Sequence, residues 1–288
     1  MQHLVIQLLN SLVFGMLLFT MAAGLSLIFG QMNVINLSHG AFYLLGGYLG
    51  LSLARQLNSF WLALLIAPLL VGAIGLALEY FLLRKLYGQH RQLDQVLLTF
   101  GLALAIADLM RWQWGSYVES LAPPPLLAGQ VSLLTLQFPV YRLAIIGFGL
   151  LLALGLWLFL ERTRLGAIIR AGVWDAQMVS GLGINIQVIF AGVFGLGTAL
   201  AALAGVIGAP VLHLYPGLDS EILILALVVV VLGGLGSLPG AFWGSLVIGG
   251  VDTFGKALVP ELALFLIFAV MALVLWLRPA GLFGLKVP

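Results

Sequence analysis

The chain has 288 residues, 62% of them hydrophobic and 8% charged, with a mean hydropathy of +1.18 and a formal net charge of +2. Soluble domains carry about 25% charged residues, so this composition excludes a soluble globule and puts the chain in lipid. The absence of cysteine excludes disulfides, thiolate metal sites and a cysteine nucleophile, and the small charge leaves no nucleic-acid footprint.

The pattern predicts an all-α polytopic integral membrane protein of about 8-10 transmembrane helices, at about 20 residues per crossing. In chain order the apolar runs are 4-29, 38-54, 60-83, 95-111, 141-160, 188-210, 221-234, 240-256 and 262-278. No polar stretch is long enough to bury a separate core, so residues 1-288 form a single transmembrane domain. The first run has no basic segment before it, which makes it a retained span rather than a cleaved signal peptide.

After that run comes NVINLSHGAF, residues 33 to 42, where Asn33, Asn36, Ser38 and His39 interrupt apolar sequence. Asn36 and His39 are three apart and share a face on a helix. Nearby basic loops put the stretch at the cytoplasmic side. Polar groups at membrane depth must be satisfied by protein or water, which leaves two readings: a hydrogen-bonded structural turn, or an element lining a path. His39 has no ligand partner at metal spacing.

Glu79 lies deep in apolar sequence and is the acidic residue best suited to a functional role, with Arg84 near enough to neutralise it. Arg84, Lys85 and Arg91, then Arg162, Arg164 and Arg170, then Arg278 and Lys286 form basic clusters. All fall on the cytoplasmic side by the positive-inside rule, and parity then places the N-terminus outside. Asp108 with Arg111, and Asp252 with Lys256, are spaced as interfacial ion pairs. The 112-140 loop, with Trp112, Trp114 and Tyr117 at its start and Pro123 to Pro125 inside it, reads as an aromatic anchor followed by an extended segment.

The polar island Glu161 to Gln187, ERTRLGAIIRAGVWDAQMVSGLGINIQ, separates two runs that are each long enough to cross a bilayer. It has an amphipathic rhythm and its own start and stop signals. Asp175 caps a short helix over 175-182, and Gly181 or Gly183 ends it. A structured helix at the cytoplasmic face is better explained as a docking surface than as a spacer. Beyond it, Asp219 and Glu221 fall in an outer loop.

In GGLGSLPGAFWGSLVIGG, Gly236, Gly240 and Gly244 recur every four residues and share one face wherever the segment is helical, with Pro239 breaking the regularity. Helix packing at a turn and a broken helix beside a substrate path both fit. Gly240-Ala241-Phe242 repeats Gly40-Ala41-Phe42, a weak internal repeat with its two units parallel. Residues 250 to 257, GVDTFGKA, have phosphate-loop spacing but end in Ala where Ser or Thr must reach magnesium, and no strand precedes them.

GLSLIFGQMNVINLSHGAFYLLGGYL, the 161-185 block and VVVVLGGLGSLPGAFWGSLVIGG together resemble the permease subunits of branched-chain amino acid ABC importers, in particular the smaller of the two paired permeases. The resemblance extends over most of the chain. It implies that the 161-187 loop contacts a cytoplasmic ATPase, with Arg164, Arg170, Asp175, Met178 and Gly181 in the coupling region. Gly172, Val173 and Trp174 depart from the more polar character usual there. It also implies a second permease subunit in a heterodimer, two cytoplasmic ATPase subunits, an extracytoplasmic substrate-binding protein, and the inner membrane of a bacterium or archaeon. No cofactor is expected in this chain, which has no nucleotide motif and is not itself an enzyme. Asn33, Asn36, Ser38, His39 and Gly240 are the residues expected along an otherwise apolar path. Urea or short amides are alternative substrates within the superfamily. Two other classes compete: an ion-coupled transporter, which needs acidic residues at the midplane, and an intramembrane enzyme, which needs a nucleophile beside a base.

Overall fold

The computed structural model describes residues 2–32, 36–87, 91–133 and 136–284. Asn33 and Lys286 lie outside them. In order come α1 (Gln2–Met32), α2 (His39–Leu57), α3 (Phe60–Phe81), α4 (Gln92–Trp114), the strands β1 (Gln130–Leu133) and β2 (Leu136–Pro139), and α5 (Val140–Arg162). These are followed by α6 (Arg164–Trp174), α7 (Ala176–Gly181), α8 (Ile186–Leu212), α9 (Leu218–Gly233), α10 (Leu238–Leu258) and α11 (Ala263–Leu277).

Among the described residues, the nine longest helices fall on the nine predicted apolar runs. Six of them, α1, α3, α4, α5, α8 and α11 taken with the short turn of helix before it (Pro260–Leu277), are long and apolar enough to cross a bilayer. Short polar side chains set several starts by accepting from backbone N–H groups that no helical carbonyl reaches. Ser59 does this for α3, Asn185 for α8 and Ser237 for α10. The 112-140 loop departs from the extended segment expected. It contains an antiparallel hairpin in which Val131 opposes Phe138, and Glu119 pairs with Leu214 as an isolated bridge.

The ends differ in charge. Arg84, Lys85, Arg91, Arg162, Arg164, Arg170 and Arg278 collect at one end, which the positive-inside rule makes cytoplasmic. Arg55, Arg111, Arg142 and Lys256 are at the other, and each is engaged. Arg55 pairs with Glu119 at 2.6 Å, Arg111 with Asp108 at 3.1 Å and Lys256 with Asp252 at 2.8 Å. Arg142 donates to Asn10 at 2.7 Å.

Helix α1 is central, packing along α10 and α8, while α11, α5 and α4 form the periphery. Lipid tails are as apolar as leucine, so close backbone approach rather than hydrophobic exclusion holds such helices together. Small residues provide it. Gly24 abuts Gly197 on α8, Gly15 abuts Gly249 on α10, and Gly205 lies against the backbone of Tyr43 on α2. Phe19 and Phe242 lock α1 to α10 edge to face, with ring centroids 5.3 Å apart.

Candidate functional site

The polar island folds as two helices, not the single short helix expected. Thr163 caps α6 by accepting from Gly166 N–H at 3.0 Å. Helix α6 doubles back so tightly that a Cβ at Gly166 would strike the carbonyls of Phe159 and Leu160 at the end of α5. Asp175 then works twice: its N–H donates to Ala171 as α6 ends, and its Oδ1 accepts from Met178 N–H at 2.9 Å as α7 starts. Gly181 ends α7 in open space, and Gly183 has a φ of +81°, where glycine is favoured. Ile169 and Val179 are buried, which fixes the pair on the body. Leu165, Val173, Met178 (69% exposed) and Leu182 (76% exposed) point away from it. Arg164 is exposed, and Arg170 is 3.6 Å from Glu161.

The motif leads into α8, whose first turn is tied to the core. The structure brings Glu79 and Arg84 together as the sequence anticipated. Glu79 is fully buried and takes the Arg84 guanidinium at 3.3 Å and the Tyr87 hydroxyl at 2.5 Å. Arg84 also donates to the Gln187 carbonyl at 3.5 Å. Burial, and next the bond to Glu79, raise the Tyr87 phenol above its usual range.

Asn36, Ser38 and His39 have no exposure in this subunit. The Ser38 hydroxyl and N–H both donate to Asn36 Oδ1, at 2.6 and 3.1 Å, and His39 N–H donates to the Asn36 carbonyl at 3.3 Å. The His39 ring is 3.1 Å from the Met21 carbonyl, and Leu37 N–H donates to the Thr99 hydroxyl. Met21 is well inside α1, so this turn is deep in the subunit and not near the cytoplasmic surface as expected. Basic loops locate helix ends; they do not register a chain that folds back along α1. Helix α2 therefore starts at depth and runs outward.

The glycine-rich turn also differs from its reading. Gly236 has a φ of +76° and belongs to the turn, where it abuts Gly30; it does not share a helix face with Gly240 and Gly244. Pro239 is in the first turn of α10, where its missing N–H costs nothing. A Cβ at Gly240 would strike the carbonyl of Gly233, so α9 and α10 meet backbone to backbone. Leu282 and Phe283 donate to the carbonyls of Leu232 and Gly233, both at 2.9 Å, and close the end of α9.

Asp219 and Glu221, expected in an outer loop, stand in the first turn of α9. A Cβ at Gly40 would strike the Asp219 carbonyl, which sets that turn beside the start of α2. The phosphate-loop-like segment lies within α10, where Asp252 pairs with Lys256. Among the described residues, no group of three or more His, Asp or Glu is placed to hold a metal.

Long helices around a glycine-lined centre, with a folded two-helix motif at the basic end, define a multi-pass integral membrane protein. The family model for the permease component of branched-chain amino acid transport systems matches residues 7–275. The chain is 31% identical over 300 residues to BraD of Pseudomonas aeruginosa, a high-affinity branched-chain amino acid transport system permease protein, covering 98% of this chain and 96% of that one. It is 30% identical over 302 residues to LivH of Escherichia coli K12, a protein of the same description, covering 96% and 94%. The chain belongs to this family of branched-chain amino acid transport permeases.

Proposed function

We propose that the chain is one permease subunit of an ATP-driven importer that passes branched-chain amino acids inward across the cytoplasmic (inner) membrane of a bacterium or archaeon. It works beside a second permease subunit. Two cytoplasmic ATPases bind and hydrolyse ATP, and an extracytoplasmic binding protein delivers substrate. The observation that carries this reading is the apolar row Leu165, Val173, Met178 and Leu182, exposed on a helix pair whose other face is anchored. Leucine and methionine side chains presented to cytoplasmic water at a fixed geometry suit a protein partner better than solvent. Rigid docking there lets nucleotide-driven motion shift the balance between outward-open and inward-open states.

Within the subunit, Asn36, Ser38 and His39 hold the start of α2 in place at depth, and Gly240 holds α10 against α9. Their part in transport is to support the path wall. The decisive experiment is uptake into proteoliposomes holding the full complex, with ATP inside and loaded binding protein outside. Leucine should accumulate only with ATP. Import of urea or short amides in its place, or leucine uptake driven by an ion gradient without ATP, would overturn the assignment.

A further inference from the structure

Phe19 on α1, Ala153 and Trp157 on α5, and Pro239, Phe242 and Trp243 on α10 line an open groove of about 180 Å³ on the flank of the subunit where α5 is peripheral. Its wall carries no charged side chain. Helix α1 gives its depth. Gly30 abuts Gly236 in the cytoplasmic turn just before α10, and Phe19, eleven residues earlier on α1, meets Phe242 edge to face. At 1.5 Å per residue the groove rises about 16 Å from that turn. A bilayer core is about 30 Å thick, so the groove has the depth of one leaflet, the cytoplasmic one. Trp157 and Trp243 are 44% and 52% exposed, which leaves indole surface open along it.

Below the groove the surface becomes cationic. Ala153, Trp157 and Glu161 recur every four residues on one face of α5, so that face leads from the groove down to Glu161. There Arg170 of α6 is 3.6 Å from Glu161, and its buried Nη1 makes no hydrogen bond among the described residues. The neighbouring Ile169 packs in the same buried cluster as Phe19 and Leu238, which fixes α6 under the groove. Arg162 and Arg164 flank the turn between α5 and α6 and are exposed. Neither has an acidic partner among the described residues. Three arginines against one acid leave an unmatched positive charge at the membrane surface.

An apolar groove one leaflet deep that ends in excess arginine matches a molecule with a long apolar chain and an anionic head. A helix of the second permease would fill the groove but leave the cations unmatched. We infer that the groove holds an acyl chain of an anionic phospholipid from the cytoplasmic leaflet, with the lipid phosphate against Arg170, Arg162 and Arg164. Arginine is suited to phosphate, and basic pockets between membrane helices on the cytoplasmic side take such headgroups. The chain packs on α5, α1 and α10 at once, so the bound lipid clamps the base of the α6–α7 pair to the helix core. This does not depend on which substrate is carried.

The test uses the full complex in phosphatidylcholine nanodiscs that contain increasing mole fractions of a lipid with brominated chains, either phosphatidylglycerol or phosphatidylcholine. Bromine quenches indole fluorescence at contact. The signal of Trp157 and Trp243 is the difference between the parent complex and one carrying Trp157→Phe with Trp243→Phe. Should that pair lower the yield of folded complex, Trp243→Phe alone gives the same subtraction. Brominated phosphatidylglycerol should quench this signal half-maximally at a mole fraction about tenfold lower than brominated phosphatidylcholine. Arg162→Gln with Arg170→Gln should bring the two curves to within about twofold, and the corresponding lysine replacements should keep them apart. Coincident curves in the parent complex would overturn the inference. So would a preference that the glutamine replacements leave intact, or a signal that neither lipid quenches because the second permease covers the groove. Quenching is read without substrate or ATP, so this result is separate from that of the uptake assay.

Discussion

Arg84 joins Glu79, wholly buried on α3, to the carbonyl of Gln187, where the cytoplasmic helix pair passes into α8. The contacts are 3.3 and 3.5 Å, and Arg84 also lies over the Tyr80 ring, 4.6 Å from its centroid. Removing one partner of a buried pair costs more than the pair contributes, because the other charge stays buried. Arg84→Ala should therefore destabilise the subunit by about 3 kcal/mol, the lower end for buried pairs because Arg84 is partly exposed. Adding Glu79→Gln should restore much of that. A double-mutant cycle on melting temperature in detergent measures it; additive losses would show that the two side chains do not act as a pair.

Coupling should fail at α7 before folding does. Ser180→Pro, whose ring clashes inside α7, breaks the helix capped by Asp175, in a motif fixed to the body by Ile169 and Val179. The variant should insert and assemble, yet lose most substrate-stimulated ATP hydrolysis along with uptake. Asp175→Ala removes one cap, worth about 1 kcal/mol, and should give a partial loss in the same direction. Parallel hydrolysis and uptake assays read both, and normal coupling with α7 broken would remove it from the docking role.

Fold class and chain order were legible because lipid demands long apolar runs, and these helices follow them. Asp175 as a cap and Gly240 as a close contact were legible from residue type at a local position. The hairpin was not, since four-residue strands such as Gln130–Leu133 hardly stand out in so apolar a chain. Helix α6 was hidden because the buried positions of a short amphipathic helix, Gly166 and Ile169, include a glycine that reads as a breaker. The depth of His39 was illegible for another reason. It depends on how far a segment folds back along a neighbour, which only contacts such as His39 with Met21 reveal.

Gly240→Leu should prevent the subunit from accumulating, not merely weaken its assembly. The side chain would be driven into the Gly233 backbone within the same chain, at a contact held from the other side by Leu282 and Phe283. Close packing is the main attraction between helices in lipid, so nothing compensates. Membrane levels of the variant, expressed without its partners, give the answer. Normal amounts with a normal melting temperature would show that α9 and α10 separate there at no cost.

The buried turn before α2 offers a test of whether it supports the path or lines it. His39 has no exposed surface, and its ring is fixed on the Met21 carbonyl. Asn36 is held by Ser38. A cysteine at either position, in a chain with no other, should be almost inert to a small water-soluble thiol reagent with the ATPases empty, ATP-bound or trapped after hydrolysis. His39→Cys also gives up the ring contact, so its melting temperature should fall. The labelling rate at each position in each nucleotide state is the measurement. Reactivity at Asn36 or His39 that rises in one nucleotide state, and that substrate suppresses, would mean the turn opens during transport and would move these residues from the support of the path to its wall.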